Sequence, residues 1–506
     1  MTLLKNNGKV YSNLQIRMVK AMKKLFLAAY FVIIGVNLFA AGGAQEGSGS
    51  NRGAFLSRGG YIIPSQDVKI DNYIAQYDYD YPLPQQGALN VVTGIGIKDD
   101  NAYIQIGLKG KKTPFEELPP LNICFCIDRS GSMTPVMPWV KDSFYIFIDR
   151  VREGDIISLV DMDTNAHTLI APTQINSQED RTRFKREVDK ITANGGTNVY
   201  AGMVQSYKEL EKTYNQRYIN RVVILTDGMH NFGDKVNKDI LDLAADYNKR
   251  GINISTVMLG INAATGLMVD VAIDGGGSSR FISDHDEMVK IFQTELDRML
   301  VPAARDLNIR LILGDGIIFK NTWGYRHYVE GNTVNYHLPT LHNGDYETML
   351  AEVSFNSSTR PNNAGVVYLD YLELDGTAKT LGPYTLQLDT SMADGGYIND
   401  RRVREAEGLL YFSRGLIDIA NKTAKISTLE RELYQYANPS PQRDDVVQQV
   451  LVELHQNLGI IESLTDYLSN ISGSLGDKKY EKELEILQNY KQTFTNVYNA
   501  YTNNVE

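Results

Sequence analysis

Five side chains with oxygen donors occupy three short segments of the chain. They are Asp128, Ser130, Ser132, Thr197 and Asp227. Carboxylates and hydroxyls without histidine or cysteine suit a hard cation such as Mg²⁺ (or Mn²⁺), which favours octahedral coordination by oxygen. Each segment alone is also compatible with a helix cap or a turn, and one Asp-x-Ser-x-Ser match is weak evidence. The three segments together predict a single divalent-metal site.

The elements around these residues read as parts of a parallel sheet. Residues 121–127 form a continuous apolar run, typical of a strand covered on both faces, and the first carboxylate follows it directly. Asp227 follows a second such run at 221–226, and Thr197 comes after Gly195-Gly196, just before a predicted helix. Because sites in open α/β sheets form outside the carboxyl ends of the strands, we expect the five side chains to converge there.

The fold class follows from the change of hydrophobic period along the chain. Residues 121–300 alternate strands with helices, which predicts an α/β domain with a doubly wound, Rossmann-like sheet. Residues 301–395 switch to period two and predict an antiparallel β-sandwich with an Asp375-Gly376 hairpin turn. Residues 396–506 have helical spacing and predict a C-terminal helical hairpin, which could also serve self-association.

The region before the α/β domain divides into three parts. Residues 1–44 hold six basic residues, no acids and an apolar run followed by small residues, which predicts a signal peptide or an uncleaved N-terminal anchor. Residues 45–63 are rich in Gly and Ser and predict a flexible linker. Residues 64–120 form an N-terminal flanking region with two predicted strands. We therefore expect an exported protein of the periplasm or the cell envelope or surface, with the N-terminal segment as an alternative membrane tether.

The charge of the chain narrows the classes of partner. The formal net charge is −10, and the basic N-terminal segment makes the remaining body more acidic still. An acidic body argues against nucleic acid as a partner.

Cys124 and Cys126 are two residues apart in an apolar run, a spacing that rarely allows an unstrained disulfide, so we predict two buried free thiols.

The three site segments resemble those of a von Willebrand factor type A domain with a complete metal-ion-dependent adhesion site. The resemblance rests on Asp128-x-Ser130-x-Ser132, on Gly195-Gly196-Thr197-Asn198 and on Leu225-Thr226-Asp227-Gly228. It implies that the hydroxyls of Ser130 and Ser132 bind the cation directly and that Thr197 does so when a ligand is engaged. It implies that Asp128 and Asp227 hold the cation directly or through water. It also implies that the open position accepts an Asp or Glu carboxylate from a protein partner.

Two alternatives to a metal-dependent protein-binding module stay open. Residues 157–164 resemble the first motif of haloacid-dehalogenase-type phosphatases, with Asp161 as the nucleophile and Asp163 as the acid/base. No convincing downstream lysine or acidic-pair motif follows, and we find no metalloprotease, serine-hydrolase or P-loop motif, so we predict no enzyme. The second alternative is a structural assembly protein in which the metal only joins loops.

Overall fold

The computed structural model describes residues 48–98, 100–227, 233, 235–259, 265–282, 285–292, 301–323, 326–356, 361–388, 400–436, 439–475 and 479–502. The predicted signal peptide or anchor at residues 1–44 lies outside these ranges, as do Gly228 of the third site segment and residues 293–300 at the end of the predicted α/β domain. None of the helices within these ranges has the length and apolar content needed to span a bilayer.

Helices flank the sheets and make up most of the described part of the C-terminal region. In chain order they are α1 (Ser48–Arg58), α2 (Ile70–Ile74), α3 (Met137–Arg150), α4 (Gln178–Asp189), α5 (Val199–Glu211), α6 (Asn237–Lys249), α7 (Thr265–Asp274), α8 (His285–Lys290), α9 (Arg401–Leu433), α10 (Pro441–Leu475) and α11 (Glu481–Thr502).

The strands within the described residues form three sheets. In chain order they are β1 (Leu89–Lys98), β2 (Asn101–Gly110), β3 (Leu121–Asp128), β4 (Ile156–Met162), β5 (Ala166–Gln174), β6 (Ile219–Thr226), β7 (Asn253–Leu259), β8 (Gly276–Ile282), β9 (Pro302–Leu313), β10 (Ile317–Thr322), β11 (His327–Glu330), β12 (Thr333–His342), β13 (Tyr346–Phe355), β14 (Asn363–Leu372) and β15 (Ala378–Gln387).

The central sheet has the strand order β5-β4-β3-β6-β7-β8. All neighbours in it are parallel except the edge pair β4 and β5. Alternate residues of β3 face opposite layers: Phe125 packs with α3 and α4, whereas Cys124 and Cys126 pack with α5 and α6. Both cysteines are buried free thiols, as predicted. The doubly wound α/β fold is therefore confirmed.

The last strand of this sheet replaces a predicted turn. Gly275-Gly276-Gly277 reads in the sequence as a flexible turn, but Gly276 begins the edge strand β8. A Cβ atom on Gly277 would lie 1.9 Å from the backbone oxygen of Ile254 on β7. Position 277 therefore requires glycine because β8 approaches the backbone of β7 too closely for a side chain, whereas Gly276 has φ of +65°. The edge strand β5 was likewise not anticipated, since its exposed residues lack an apolar pattern.

Two antiparallel sheets form the flanking sandwich. Their strand orders are β1-β2-β13-β10 and β11-β12-β9-β14-β15, and their inner faces share one core. Leu307, Ile309, Leu311 and Leu313 all point into that core, which confirms the period-two pattern. Strands β1 and β2 precede the central sheet in the sequence, yet β2 pairs with β13, which follows that sheet in the sequence. The sandwich is thus closed by segments from both sides of the α/β domain.

The C-terminal region is helical, as predicted, with α9 packed against α10 and α11 returning along them. Helix α1 occupies residues predicted as a flexible linker. It is held on α11 by a hydrogen bond from Asn489 Nδ2 to Ser57 Oγ of 3.0 Å and an ion pair between Arg58 and Glu485 of 2.6 Å. Tertiary packing thus orders a sequence whose Gly and Ser content favours flexibility.

Candidate metal site

The sheet order brings the first and third site segments together. Strands β3 and β6 are parallel neighbours, and Ile127 lies level with Leu225. Asp128 therefore ends its strand beside Thr226, and Asp227 is the next residue along the chain. The segments follow buried strands because the apolar runs end where the chain leaves the sheet at its carboxyl edge.

Asp128 forms the base of the site. Its side chain is fully buried. The backbone N–H of Ser130 donates to Asp128 Oδ1 at 2.7 Å, and the hydroxyl of Thr226 donates to Oδ2 at 2.6 Å. Both carboxylate oxygens are thus fixed in direction, and Thr226 is a positioning residue that the predicted set does not include. Its position directly before Asp227 was the available signal.

A row of oxygens leads outward from this base. Ser130 Oγ and Ser132 Oγ are 3.1 Å apart, and the Ser132 hydroxyl donates to Asp227 Oδ1 at 2.9 Å. Adjacent ligands of an octahedral Mg²⁺ with metal–oxygen distances of about 2.0–2.1 Å lie roughly 2.9 Å from each other. The two distances between these three oxygens are those of hydrogen bonds and are also compatible with adjacent ligands of one cation, and the donor set fits a hard metal ion.

Thr197 is placed by a separate loop. It is buried, and the loop meets the first segment through a hydrogen bond of 3.1 Å from the N–H of Gly131 to the carbonyl oxygen of Gly195. Gly195 has φ of +86°, a left-handed conformation that favours glycine. This turn brings the residues before helix α5 against the first segment, so all three predicted segments meet at one edge of the sheet.

The site opens to solvent on one side. Asp128, Ser130 and Thr197 are buried, whereas Ser132 and Gly195 are exposed. The site therefore extends from the buried carboxylate of Asp128 at its base to the exposed hydroxyl of Ser132 at its opening. A side chain from another molecule would approach through this mouth.

The two carboxylates of the site are held in an environment that disfavours their charge. Burial raises the pKa of Asp128, against the hydrogen bonds from Thr226 and Ser130. Burial also raises the pKa of Asp227 to about 6, and the nearby charge of Asp128 adds to this increase, against the hydrogen bond from Ser132. A bound cation would remove this penalty, since it pairs with both negative charges.

The candidate site contains too few carboxylates to hold a cation without the hydroxyl groups. Among the residues that the structure describes, no group of three or more His, Cys, Asp or Glu side chains is placed to hold a metal ion. The predicted site has two carboxylates and three hydroxyl residues, so any cation bound there would depend on the hydroxyls.

The residues of the phosphatase alternative lie beside this site and are engaged in ion pairs. Arg129 Nε lies 2.9 Å from Asp161 Oδ2, and one terminal nitrogen of Arg129 lies 2.5 Å from Asp163 Oδ2. His167 Nδ1 is 3.3 Å from the other oxygen of Asp161. A carboxylate paired with a guanidinium is a poorer nucleophile than a free one, so the geometry does not favour Asp161 as an attacking group.

Comparison with protein families gives a match over the site. Residues 123–230 match the von Willebrand factor type A domain family. The chain is 25% identical over 282 residues to the protein YfbK of Escherichia coli (strain K12), covering 53% of this chain and 48% of the relative. It is also 25% identical over 205 residues to the protein sll0103 of Synechocystis, covering 40% of this chain and 47% of the relative. The chain thus spans about half the length of these relatives.

A more distant relative and a solved structure are also similar to this chain. The inter-alpha-trypsin inhibitor heavy chain H4 of Bos taurus is 24% identical over 237 residues, which cover 45% of this chain and 24% of the relative. A solved von Willebrand factor type A protein from Catenulispora acidiphila has a TM-score of 0.49 and 15% identity, covering 77% of this chain and 88% of that one.

Proposed function

Since this chain contains a von Willebrand factor type A domain, a type of domain that commonly mediates protein–protein interaction, we propose that it is an exported, divalent-metal-dependent protein-binding module. The domain would bind Mg²⁺ (or Mn²⁺) through Asp128, Ser130, Ser132, Thr197 and Asp227. A protein partner would supply an Asp or Glu carboxylate. We propose the cell envelope or surface as the location.

One observation carries the metal part of the proposal. Three oxygens, from Ser130, Ser132 and Asp227, meet from two strand ends; they hydrogen-bond at 3.1 and 2.9 Å, distances that adjacent octahedral ligands of one cation would also have. Asp128 supports this row from below, with both of its oxygens held by hydrogen bonds. A helix cap or a simple turn does not need such an arrangement from two strand ends.

The exposure of the site supports the partner part of the proposal. Buried donors at the base can hold the cation, while the exposed side at Ser132 and Gly195 admits a ligand group. When bound, the cation would supply an open position for a carboxylate. The chain's own residues would bind the cation, orient it towards the mouth and exclude water from its inner side.

The metal part is tested by titrating the purified chain with MgCl₂ in a calorimeter. We expect wild-type protein to bind one Mg²⁺, and Asp128→Ala and Ser130→Ala to lose binding. Thr182→Ala is the control, because Thr182 is an exposed residue of α4 whose hydroxyl donates to the carbonyl of Gln178 in its own helix. Wild-type protein that binds no divalent cation would overturn the proposal.

The partner part is tested by comparing proteins captured by residues 45–506 in Mg²⁺ and in EDTA. Capture should depend on Mg²⁺ and should be lost in Asp128→Ala with the fold retained by circular dichroism. Capture that persists in EDTA, together with a lower melting temperature, would instead favour the structural-assembly alternative. Hydrolysis of an aryl phosphate that is lost in Asp161→Asn would favour the phosphatase.

A further inference from the structure

Arg129 lies between two predicted metal-site residues but contacts a different pair of acids. Its side chain bridges Asp161 and Asp163, at 2.9 and 2.5 Å. The three side chains are 21%, 9% and 13% exposed, so water screens these ion pairs only in part. The contact joins the end of β3 to the end of β4.

The main chain of Arg129 joins the same segments again and adds a third. Its N–H donates to the carbonyl of Met162 at 2.8 Å. Its carbonyl accepts from the N–H of Asn194 at 2.5 Å. One residue thus connects the first site segment to the end of β4 and to the loop that carries Thr197.

The residues that follow β4 hold that loop from the other side. The carbonyl of Asp163 accepts from the N–H of Asn198 at 2.7 Å, and the hydroxyl of Thr164 accepts from the N–H of Gly196 at 3.4 Å. Asn198 Nδ2 donates to the carbonyl of Thr164 at 3.2 Å. Thr197 is therefore held between two residues whose backbone N–H groups are both fixed by the segment after β4.

From these contacts we infer that Arg129, Asp161 and Asp163 are positioning residues that set the distance between the Ser130/Ser132 segment and Thr197. They do not bind the cation. Through this distance they set the affinity of the site for Mg²⁺. The inference rests on the proposed function, since it concerns the same site, and it gives the Asp-x-Asp-x-Thr segment a role other than phosphoryl transfer.

Charge and geometry predict opposite effects when Arg129 is removed. If Arg129 acted only as a neighbouring positive charge, Arg129→Gln would strengthen Mg²⁺ binding, because Asp161 and Asp163 would then attract the cation without a counter-charge. If Arg129 positions the loops, the same variant weakens binding despite this attraction. The sign of the change in affinity therefore separates the two explanations.

The experiment is calorimetric titration of the full chain with MgCl₂, with the melting temperature in EDTA measured in parallel. We expect a loss of affinity of about 10- to 100-fold for Arg129→Gln and for Asp163→Asn, as is typical of residues that orient metal ligands. The double variant should bind no more weakly than Arg129→Gln alone, because Arg129→Gln already removes the ion pair that Asp163→Asn removes. Arg129→Lys should restore affinity only in part, since a lysine ammonium cannot span both carboxylates as a guanidinium does.

Matched controls are Arg186→Gln and Asp246→Asn, which remove the same charges from exposed positions on α4 and α6. An affinity for Mg²⁺ that is unchanged or higher in Arg129→Gln overturns the inference. So does a result in which Arg129→Gln and Asp163→Asn lower the melting temperature but leave the affinity for Mg²⁺ unchanged. If Arg129→Gln does not fold, Arg129→Lys decides the matter, because it keeps the positive charge and should lose affinity only if the guanidinium positions the loops. Wild-type protein without Mg²⁺ binding overturns the proposed function itself, whereas wild-type binding with unaffected variants overturns this inference alone.

Discussion

Replacing Asp227 with Asn separates the stability of the metal site from its function. In the metal-free protein, Asp227 is a buried carboxylate whose pKa rises from 3.8 to about 6, through burial and the charge of Asp128. The asparagine side chain introduced by this substitution would keep an oxygen that can accept the hydrogen bond from Ser132 but would carry no charge. We therefore expect Asp227→Asn to stabilise the metal-free protein at neutral pH and to abolish its response to Mg²⁺.

The magnitude follows from the increase in pKa. An increase of about two pH units corresponds to about 3 kcal/mol at full effect. Since water reaches the site through the side where Ser132 is exposed, we expect about 2 kcal/mol. For a unit of 150–250 residues, this free energy raises the melting temperature by about 4–8 °C.

The pH dependence has a defined sign. The unfolded state releases the proton of Asp227 near 3.8, and the folded state releases it near 6, so the folded wild-type protein loses stability as the pH rises between these values. The advantage of Asp227→Asn should therefore be complete above 6 and should shrink as the pH falls towards 3.8.

The assay is calorimetric unfolding in EDTA and in saturating Mg²⁺. Mg²⁺ at 100 times its dissociation constant should stabilise wild-type protein by about 2.7 kcal/mol, and should leave the variant unchanged. Asp246→Asn, on the exposed face of α6, is the control and should change stability by less than about 0.5 kcal/mol. The reasoning is refuted if Asp227→Asn is no more stable than wild-type protein in EDTA at neutral pH, or if it retains the response to Mg²⁺.

Three further outcomes concern the fold. Phe125→Ala should lower the free energy of unfolding by about 3–5 kcal/mol in denaturant titration, because this fully buried ring makes edge contacts with two phenylalanines of α3; a loss below about 1 kcal/mol would contradict this packing. Cys124 and Cys126 should react with a thiol reagent only after unfolding, since burial raises the pKa of Cys124 to about 12 and that of Cys126 well above its usual range. Glu483→Ala should cost about 3 kcal/mol and speed amide exchange in α1, because the buried Glu483 carboxylate accepts hydrogen bonds from Ser50, Gln76 and Tyr77. Unchanged exchange in α1 would show that other contacts hold this helix.

Local pattern was sufficient for much of the architecture. The apolar runs that end at Asp128 and Thr226 predict buried parallel strands, because a strand covered on both faces needs apolar residues at successive positions. The period-two pattern from Leu307 to Leu313 predicts a half-buried strand for the corresponding reason. These elements carry their own signal, and the sandwich and the α/β sheet could be read from it.

Other elements depend on contacts with distant residues. Helix α1 forms where the composition favours a linker, because it packs on α11 more than 400 residues later in the chain. Strand β8 begins with glycines that read as a turn, and their role depends on how closely Ile254 approaches. No local pattern contains that information.

The site shows the same division. The residue types and their positions after buried strands are properties of the sequence, and they predict which side chains could meet at a hard cation. Which strand ends are neighbours is a property of the sheet order, with β3 between β4 and β6. Only that order places Thr226 against Asp128 and pairs Arg129 with Asp161 and Asp163, because hydrogen bonds and ion pairs require atoms within a few ångströms whatever their separation along the chain.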